Sequence, residues 1–158
     1  MSDNGSERYK LVYEEALGSI ERQEATLNEM RARVGTLLAT TVIATAFFGS
    51  LAAHKLPLGN WQWAAVSLFV VTSLLQVVLI IPLPGWQFRR DPSVLISDYI
   101  EADPPRSLED MYRNLALYID EAISGNDGRL SWMWWVLTAS AVILVAEVAV
   151  WLVAIAKP

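Results

Sequence analysis

The sequence predicts an all-α integral membrane protein with three transmembrane helices, and three observations carry that expectation. The first is composition: 54% of the 158 residues are hydrophobic and 18% are charged, with a positive mean hydropathy. That is more apolar surface than a soluble domain of this length hides from water. The second is distribution. A hydrocarbon core roughly 30 Å thick is crossed by about 20 helical residues at about 1.5 Å each. Three runs have that length: 35–53 and 61–83 carry no charge, and 132–156 carries one, Glu147. The third is tryptophan, whose amphipathic ring prefers the membrane–water boundary. Trp61 and Trp63 open the second run, Trp86 follows it, Trp132, Trp134 and Trp135 open the third, and Trp151 lies near its far end.

Residues 1–34 read as a cytoplasmic amphipathic helix running into the first span. Tyr13, Leu17, Ile20, Leu27, Met30 and Val34 recur at helical spacings, and Glu14, Glu15, Glu21, Arg22 and Glu24 take other faces. A signal peptide needs a short basic leader, and a long segment of mixed charge precedes Gly35 instead. The apolar stripe is too narrow to bury itself, so it needs a partner helix. The insert 87–131 supplies one. Asp91 with Pro92 reads as an N-cap and first-turn proline opening a short helix to about Ala102, ended by Asp103, Pro104 and Pro105. Ser107 and Asp110 form a near capping box before Leu108, Met111, Tyr112, Leu115, Ile119, Ala122 and Ile123, an apolar face that stops before Gly125. The N-terminal helix and this insert are expected to pair as a small cytoplasmic module.

Orientation follows the basic residues, which are retained on the cytoplasmic side of span ends. Arg22, Arg31, Arg33, Arg89, Arg90 and Arg129 mark one side, and Lys55 and Lys157 the other. The expected arrangement is a multi-pass protein of a bacterial inner membrane, N-terminus cytoplasmic and C-terminus outside. The insert carries nine acidic and five basic residues, so its net charge repels nucleic acid. Absence of cysteine removes thiol chemistry and any disulfide framework.

The inventory for catalysis is poor. The sole histidine, His54, has no cysteine and no carboxylate near it in sequence, and no phosphate loop, zinc spacing or nucleophile motif is present. No catalytic residue, metal site or cofactor is expected. Glu147 stands apart, because a carboxylate inside a span costs about 2.5–3.5 kcal/mol on insertion scales and so faces a bundle interior or a wet cavity. Counting helical rise sets it near the depth of Thr45 to Ser50 and of Ser67, with Gln76 level with Thr40 and Thr41. Glu147, Gln76, Ser67, Thr41 and Thr45 are thus candidates for a polar path or gate. The competing reading is a glutamic acid hydrogen-bonded between helices as assembly glue. Gly35 with Ala39, and Gly49 with Ala53, have the small-xxx-small spacing that lets helices approach closely in lipid. A thin bundle of this kind is expected to form a homo-oligomer in the bilayer.

The charged helix running straight into a span, ERQEATLNEMRARVGTLLATTVIATAFFGS, followed by a hairpin, a helical insert and a last span, resembles small bacterial antiphage membrane effectors, the SLATT and Pycsar transmembrane effector families. The specific part is the RARVGTLL junction, where Arg33, Gly35 and Thr36 match a basic residue followed by small ones. The resemblance implies an oligomer that permeabilises or depolarises the inner membrane when a cytoplasmic signal, a protein or a nucleotide, reaches it. The alternative is a non-conducting membrane anchor or accessory subunit that recruits a cytoplasmic partner. A small-molecule transporter ranks third, since few intramembrane polar groups are left to bind a substrate.

Overall fold

The computed structural model describes residues 3–52, 59–81, 85–86, 93 and 96–156. Among them no strand occurs, and three helices dominate: α1, Asp3–Ala52; α2, Asn60–Ile80; and α3, Leu108–Ala156. Each contains a stretch long and apolar enough to cross a membrane, and only 11%, 22% and 28% of those stretches is buried within the chain. The remaining surface is apolar. Ile43, Phe47, Leu74, Val142 and Val145 are all more than half exposed, which in water would cost roughly 1.5–3 kcal/mol per side chain. Three such helices make the chain a candidate multi-pass membrane protein. Ala53, His54, Lys55, Arg89, Arg90, the Asp91–Pro92 cap and Lys157 lie outside the described residues.

The chain divides into two compact units. One comprises 1–28 and 83–130, the other 29–82 and 131–158. In the first unit, the start of α1 packs along the start of α3. Ile20, Ile119 and Ala122 form its centre, with Tyr13, Ala16, Tyr118 and Ile123 around them. The Tyr13 and Tyr112 rings stack at 5.7 Å. Gln23 is buried among these apolar groups and fully engaged: its Nε2 donates to Ile123 O at 3.1 Å and Asp127 Oδ1 at 2.8 Å, and its Oε1 accepts from Asn126 Nδ2 at 3.0 Å. Ion pairs such as Arg22 with Glu15 lie exposed on the outer faces, where each contributes little.

The structure corrects three expectations. The stripe on α1 is Tyr13, Ala16, Ile20, Gln23, Leu27, Met30 and Val34, a strict alternation of three and four, while Leu17 points outward at 38% exposure. The α3 helix does not stop before Gly125. Gly125 and Gly128 are exposed with open space around them, so each costs about 1 kcal/mol of helix propensity without losing a packing contact. Asn126, between them, stays on the packed side and holds the turn through Gln23. Finally, of the expected 91–102 helix, Ser93 is helical and Ile96–Ile100 forms a single π-type turn rather than an α-helical one, closed by Glu101 N to Ile96 O at 2.9 Å. The following Asp103-Pro104-Pro105 disfavours helical backbone. Tyr99 is buried in that turn, and the Arg106 guanidinium lies 5.5 Å over its ring.

The capping at Ser107 takes a variant form. Its hydroxyl accepts from Asp110 N at 3.1 Å and donates to the Asp110 carboxylate at 2.6 Å, so one hydroxyl both satisfies a first-turn amide and positions the acid near the positive end of the helix. Within the same unit, Arg129 donates to Gly85 O and lies 5.9 Å from the Trp86 ring. Gly85 has φ +95, and a Cβ there would meet the Arg129 guanidinium at 2.6 Å, so only glycine fits.

The core of this unit makes a quantitative expectation. Ile20→Ala should lower stability by about 2–4 kcal/mol in denaturant titrations of the detergent-solubilised protein. Leu11→Ala, at a position 65% exposed, should shift it by less than about 0.5 kcal/mol. Equal losses would show that the two faces are equally buried in solution.

Candidate functional site

In the second unit the helices are almost wholly apolar, yet six of the sixteen buried positions among the described residues are polar: Thr41, Gln62, Thr72, Gln76, Ser140 and Glu147. Gln62, Ala65, Thr72, Gln76 and Leu79 are the buried residues of α2. From α1 come Thr41 and Ala52, and from α3 Met133, Leu137, Ser140, Leu144, Glu147, Trp151 and Ala154. Each set follows the three-four alternation of helix packing. Thr41, Thr72, Gln76, Ser140 and Glu147 have no exposed surface at all.

Two interhelical hydrogen bonds fix the register. Gln76 Nε2 donates to Thr41 Oγ1 at 3.1 Å, and the Thr45 hydroxyl donates to Glu147 Oε1. At one end of the unit Ala52, Ala65, Trp151 and Ala154 pack together with Phe48, Val66 and Val150. With α2 antiparallel to α1, one turn from Gln76 brings Thr72 level with Thr45. Thr45, Thr72 and Glu147 thus form a layer with one polar side chain from each helix. Thr41 and Gln76 lie one turn away, and Ser140 lies about 10 Å from Glu147 along α3 at about 1.5 Å per residue. Val34, Leu79 and Leu137, all buried, occupy the end opposite the alanine cluster.

How these groups are satisfied separates them from the rest of the chain. The exposed hydroxyls of Thr36, Thr40, Ser67 and Thr138 each donate to a backbone carbonyl one turn back, at 3.2, 3.0, 2.8 and 2.9 Å. That is how a hydroxyl is accommodated on a lipid-facing helix surface. Thr72 Oγ1 and Ser140 Oγ make no such bond. Together with Gln76 Oε1 and Glu147 Oε2 they are buried without a hydrogen-bond partner among the described residues. The Trp151 indole lies beside the Glu147 carboxyl, its N–H outside hydrogen-bonding geometry.

Of the residues expected at a polar path, Thr41, Thr45, Gln76 and Glu147 come together. Ser67 does not. It is exposed, and its hydroxyl turns back to Trp63 O. Ser50 likewise bonds Phe47 O. Thr72 and Ser140 are the members that sequence reading missed, although Thr72 stands one helical turn from Gln76 and Ser140 two turns from Glu147. The small-residue pairs split as well. Gly35 and Ala39 are exposed, and nothing lies near Gly35. Gly49 is half-buried with a Trp151 ring atom 3.9 Å from its Cβ position, so it serves packing within the chain, and Ala53 lies outside the described residues. Trp151 is 3% exposed and belongs to the core, whereas Trp61, Trp63, Trp132, Trp134 and Trp135 remain exposed as boundary anchors would be. Arg33 pairs with Glu29 at 2.5 Å and lies 5.9 Å from the Trp134 ring.

No cluster of three metal-binding side chains occurs among the described residues. No family model matches the chain, and no curated protein or solved structure resembles it above background.

The layer predicts a contrast between two threonines on α1. Thr45→Val removes the donor that the described residues give the buried Glu147 carboxyl and should cost about 1–3 kcal/mol, read as a lower unfolding midpoint in micelles. Thr36→Val removes a hydroxyl that serves only its own helix and should stay within about 0.5 kcal/mol of the wild type. Equal effects would mean that the Thr45–Glu147 bond contributes nothing.

Proposed function

We propose that this protein is an oligomeric effector of a bacterial inner membrane that permeabilises or depolarises the membrane in response to a cytoplasmic signal. The observation that carries the reading is the file of buried side chains with a polar atom left unbonded among the described residues, Ser140, Gln76, Thr72 and Glu147, joined by the bonded Thr41 and Thr45 inside helices otherwise suited to hydrocarbon. Leaving such groups unpaired in an apolar core is costly, and intramembrane ionisable residues commonly mark ion pathways. Closure at both ends by Val34, Leu79 and Leu137 and by the alanine–tryptophan cluster suits a protein that stays tight until triggered. The arginine asymmetry favours a cytoplasmic N-terminus, which puts the polar helical unit where a cytoplasmic protein or nucleotide meets it. The layout's resemblance to SLATT and Pycsar transmembrane effectors points the same way, and exposed Gly35 and Ala39 offer a face for close approach of a second copy.

One observation favours the anchor reading. A groove of about 630 Å³ in the polar unit, lined by Tyr9, Leu11, Val12, Arg113, Leu117 and Asp120 among others, is open to solvent and would suit a recruited protein segment.

The two readings separate in cells. Induced expression in a bacterial host should collapse the membrane potential, read with a voltage-sensitive dye, and arrest growth. An abundant, membrane-inserted protein that leaves the potential intact would favour the anchor. Reporter fusions should score 103–125 as cytoplasmic and the C-terminus as external; a cytoplasmic C-terminus would overturn the three-span arrangement.

A further inference from the structure

Resting on the permeabilising reading, we propose that the ion which crosses this protein is the proton, relayed by Glu147 along internal waters held by Ser140, Gln76, Thr72 and Trp151. The argument starts from which atoms lack partners. Gln76 Oε1 and Glu147 Oε2 are acceptors, the Trp151 indole N–H is a donor, and the Thr72 and Ser140 hydroxyls are both. A mixed set of donors and acceptors in a polar core is what an internal water satisfies, since water needs two to four polar partners. A metal cation would want only acceptors, and the Trp151 N–H beside the carboxyl opposes it.

Spacing agrees with water as the link. Glu147 to Trp151, and Thr72 to Gln76, are each one turn, about 6 Å of helical rise. Two hydrogen bonds of about 2.8 Å through a single water span nearly that distance. The file from Ser140 to Trp151 covers about 16 Å of α3 at about 1.5 Å per residue, roughly half the hydrocarbon thickness of about 30 Å. What lies beyond each end is narrow and apolar, Val34, Leu79 and Leu137 on one side and Ala52, Ala65 and Ala154 on the other. Such a path has no ring of carbonyls or charges of the kind that replaces the hydration shell of sodium or potassium, and the helix backbones are committed to their own ladders. A proton needs only a hydrogen-bonded chain.

The relay step balances by itself. A protonated water on one side gives its proton to Glu147 Oε2, forming the carboxylic acid. The acid O–H then breaks toward a water on the other side, and the carboxylate is restored. Thr45, which donates to Oε1, holds the carboxyl so that Oε2 faces the file. The segments 35–52 and 60–80 contain no titratable side chain, and Glu147 is the one in 132–156, so no other group in the spans substitutes for it.

The test uses the full-length protein in liposomes loaded with a pH-sensitive dye, with the potential clamped by potassium and valinomycin. Sodium and potassium fluxes are measured in parallel on the same preparation. The expected result is wild-type proton flux that slows in D₂O, with sodium and potassium retained. Glu147→Gln should lose proton flux to the level of protein-free vesicles while keeping helix content and oligomer size. Thr72→Val, which preserves shape, should lower the flux partially and serves if Glu147→Gln fails to assemble. High protein-to-lipid ratios stand in for the signal, as induced expression does in cells, and wild-type vesicles that stay tight to protons at every ratio overturn the inference. If they pass sodium or potassium, the permeabilising reading stands and the ion is wrong; if they pass nothing, both fall. Proton flux unchanged in Glu147→Gln overturns the relay while leaving permeabilisation intact.

Discussion

All three helices bury a single stripe in which contacts recur after three and then four residues, and the rest of the molecule follows from what occupies that stripe. On α1 it runs from Tyr13 and Ala16 through Ile20, Gln23, Leu27, Met30 and Val34 to Thr41, and on α3 from Tyr112 and Leu115 through Ile119, Ala122 and Asn126 to Met133, Ser140, Glu147 and Ala154. The narrow seam is what two or three helices can bury in one another. Everything outside it must match the surroundings, which is why charged residues cover it in the first unit and valine, isoleucine, leucine and phenylalanine cover it in the second.

The same geometry carries different side chains in the two units, as it would if the first closed in water and the second in hydrocarbon. In water, Ile20, Leu27, Leu115 and Ile119 leave solvent when the helices meet, and burial drives association. Within hydrocarbon that drive is absent, since a lipid tail is as apolar as leucine. There, close packing and hydrogen bonds hold helices together, and beside Leu79, Met133, Leu137 and Leu144 the seam carries alanine, threonine, serine and glutamine with the bonds Gln76 to Thr41 and Thr45 to Glu147. Gln23 and Asn126 show the contrasting use of polarity in the first unit. Their side chains bond each other and Ile123 O, so they fix register within an apolar seam, as a lone polar residue does in a coiled coil.

Much of this was legible in the sequence, and what was not has physical reasons. Long charge-free runs bounded by tryptophan read directly as helices able to span a bilayer. Counting rise along the helices brought Gln76 to the depth of Thr41 and Glu147 to that of Thr45, because depth depends on residue number alone. Ser67 missed on both counts: five residues from Thr72, it lies about 7.5 Å of rise from the Glu147 layer, is turned about 140° at about 100° per residue, and faces outward. Leu17 enters the expected stripe by its hydrophobicity, although the phase set by Ile20 and Leu27 selects Ala16. Gly125 reads as the stop of the apolar face because glycine commonly ends helices, and the partner that holds Asn126 shows why the helix continues.

Magnitudes decide whether Glu147 is explained by helix assembly. Placing an acidic residue at mid-span costs about 2.5–3.5 kcal/mol on insertion scales, whereas an interhelical hydrogen bond within a membrane contributes about 0.6 kcal/mol on average and about 1.7 at most. The single bond from Thr45 therefore offsets about a fifth of the cost on average and about two thirds at best. A second bond is not made by the described residues, since Oε2 is left without a partner. Leucine at the same position would fill the seam without the deficit, as Leu144 does one step along the repeat. Glue is thus a poor physical account of a carboxyl at this site. A group that lowers the stability of its own bundle, and that is accompanied by Thr72, Gln76 and Ser140 in the same condition, is what the proposed relay would account for and hydrogen-bonded assembly alone does not.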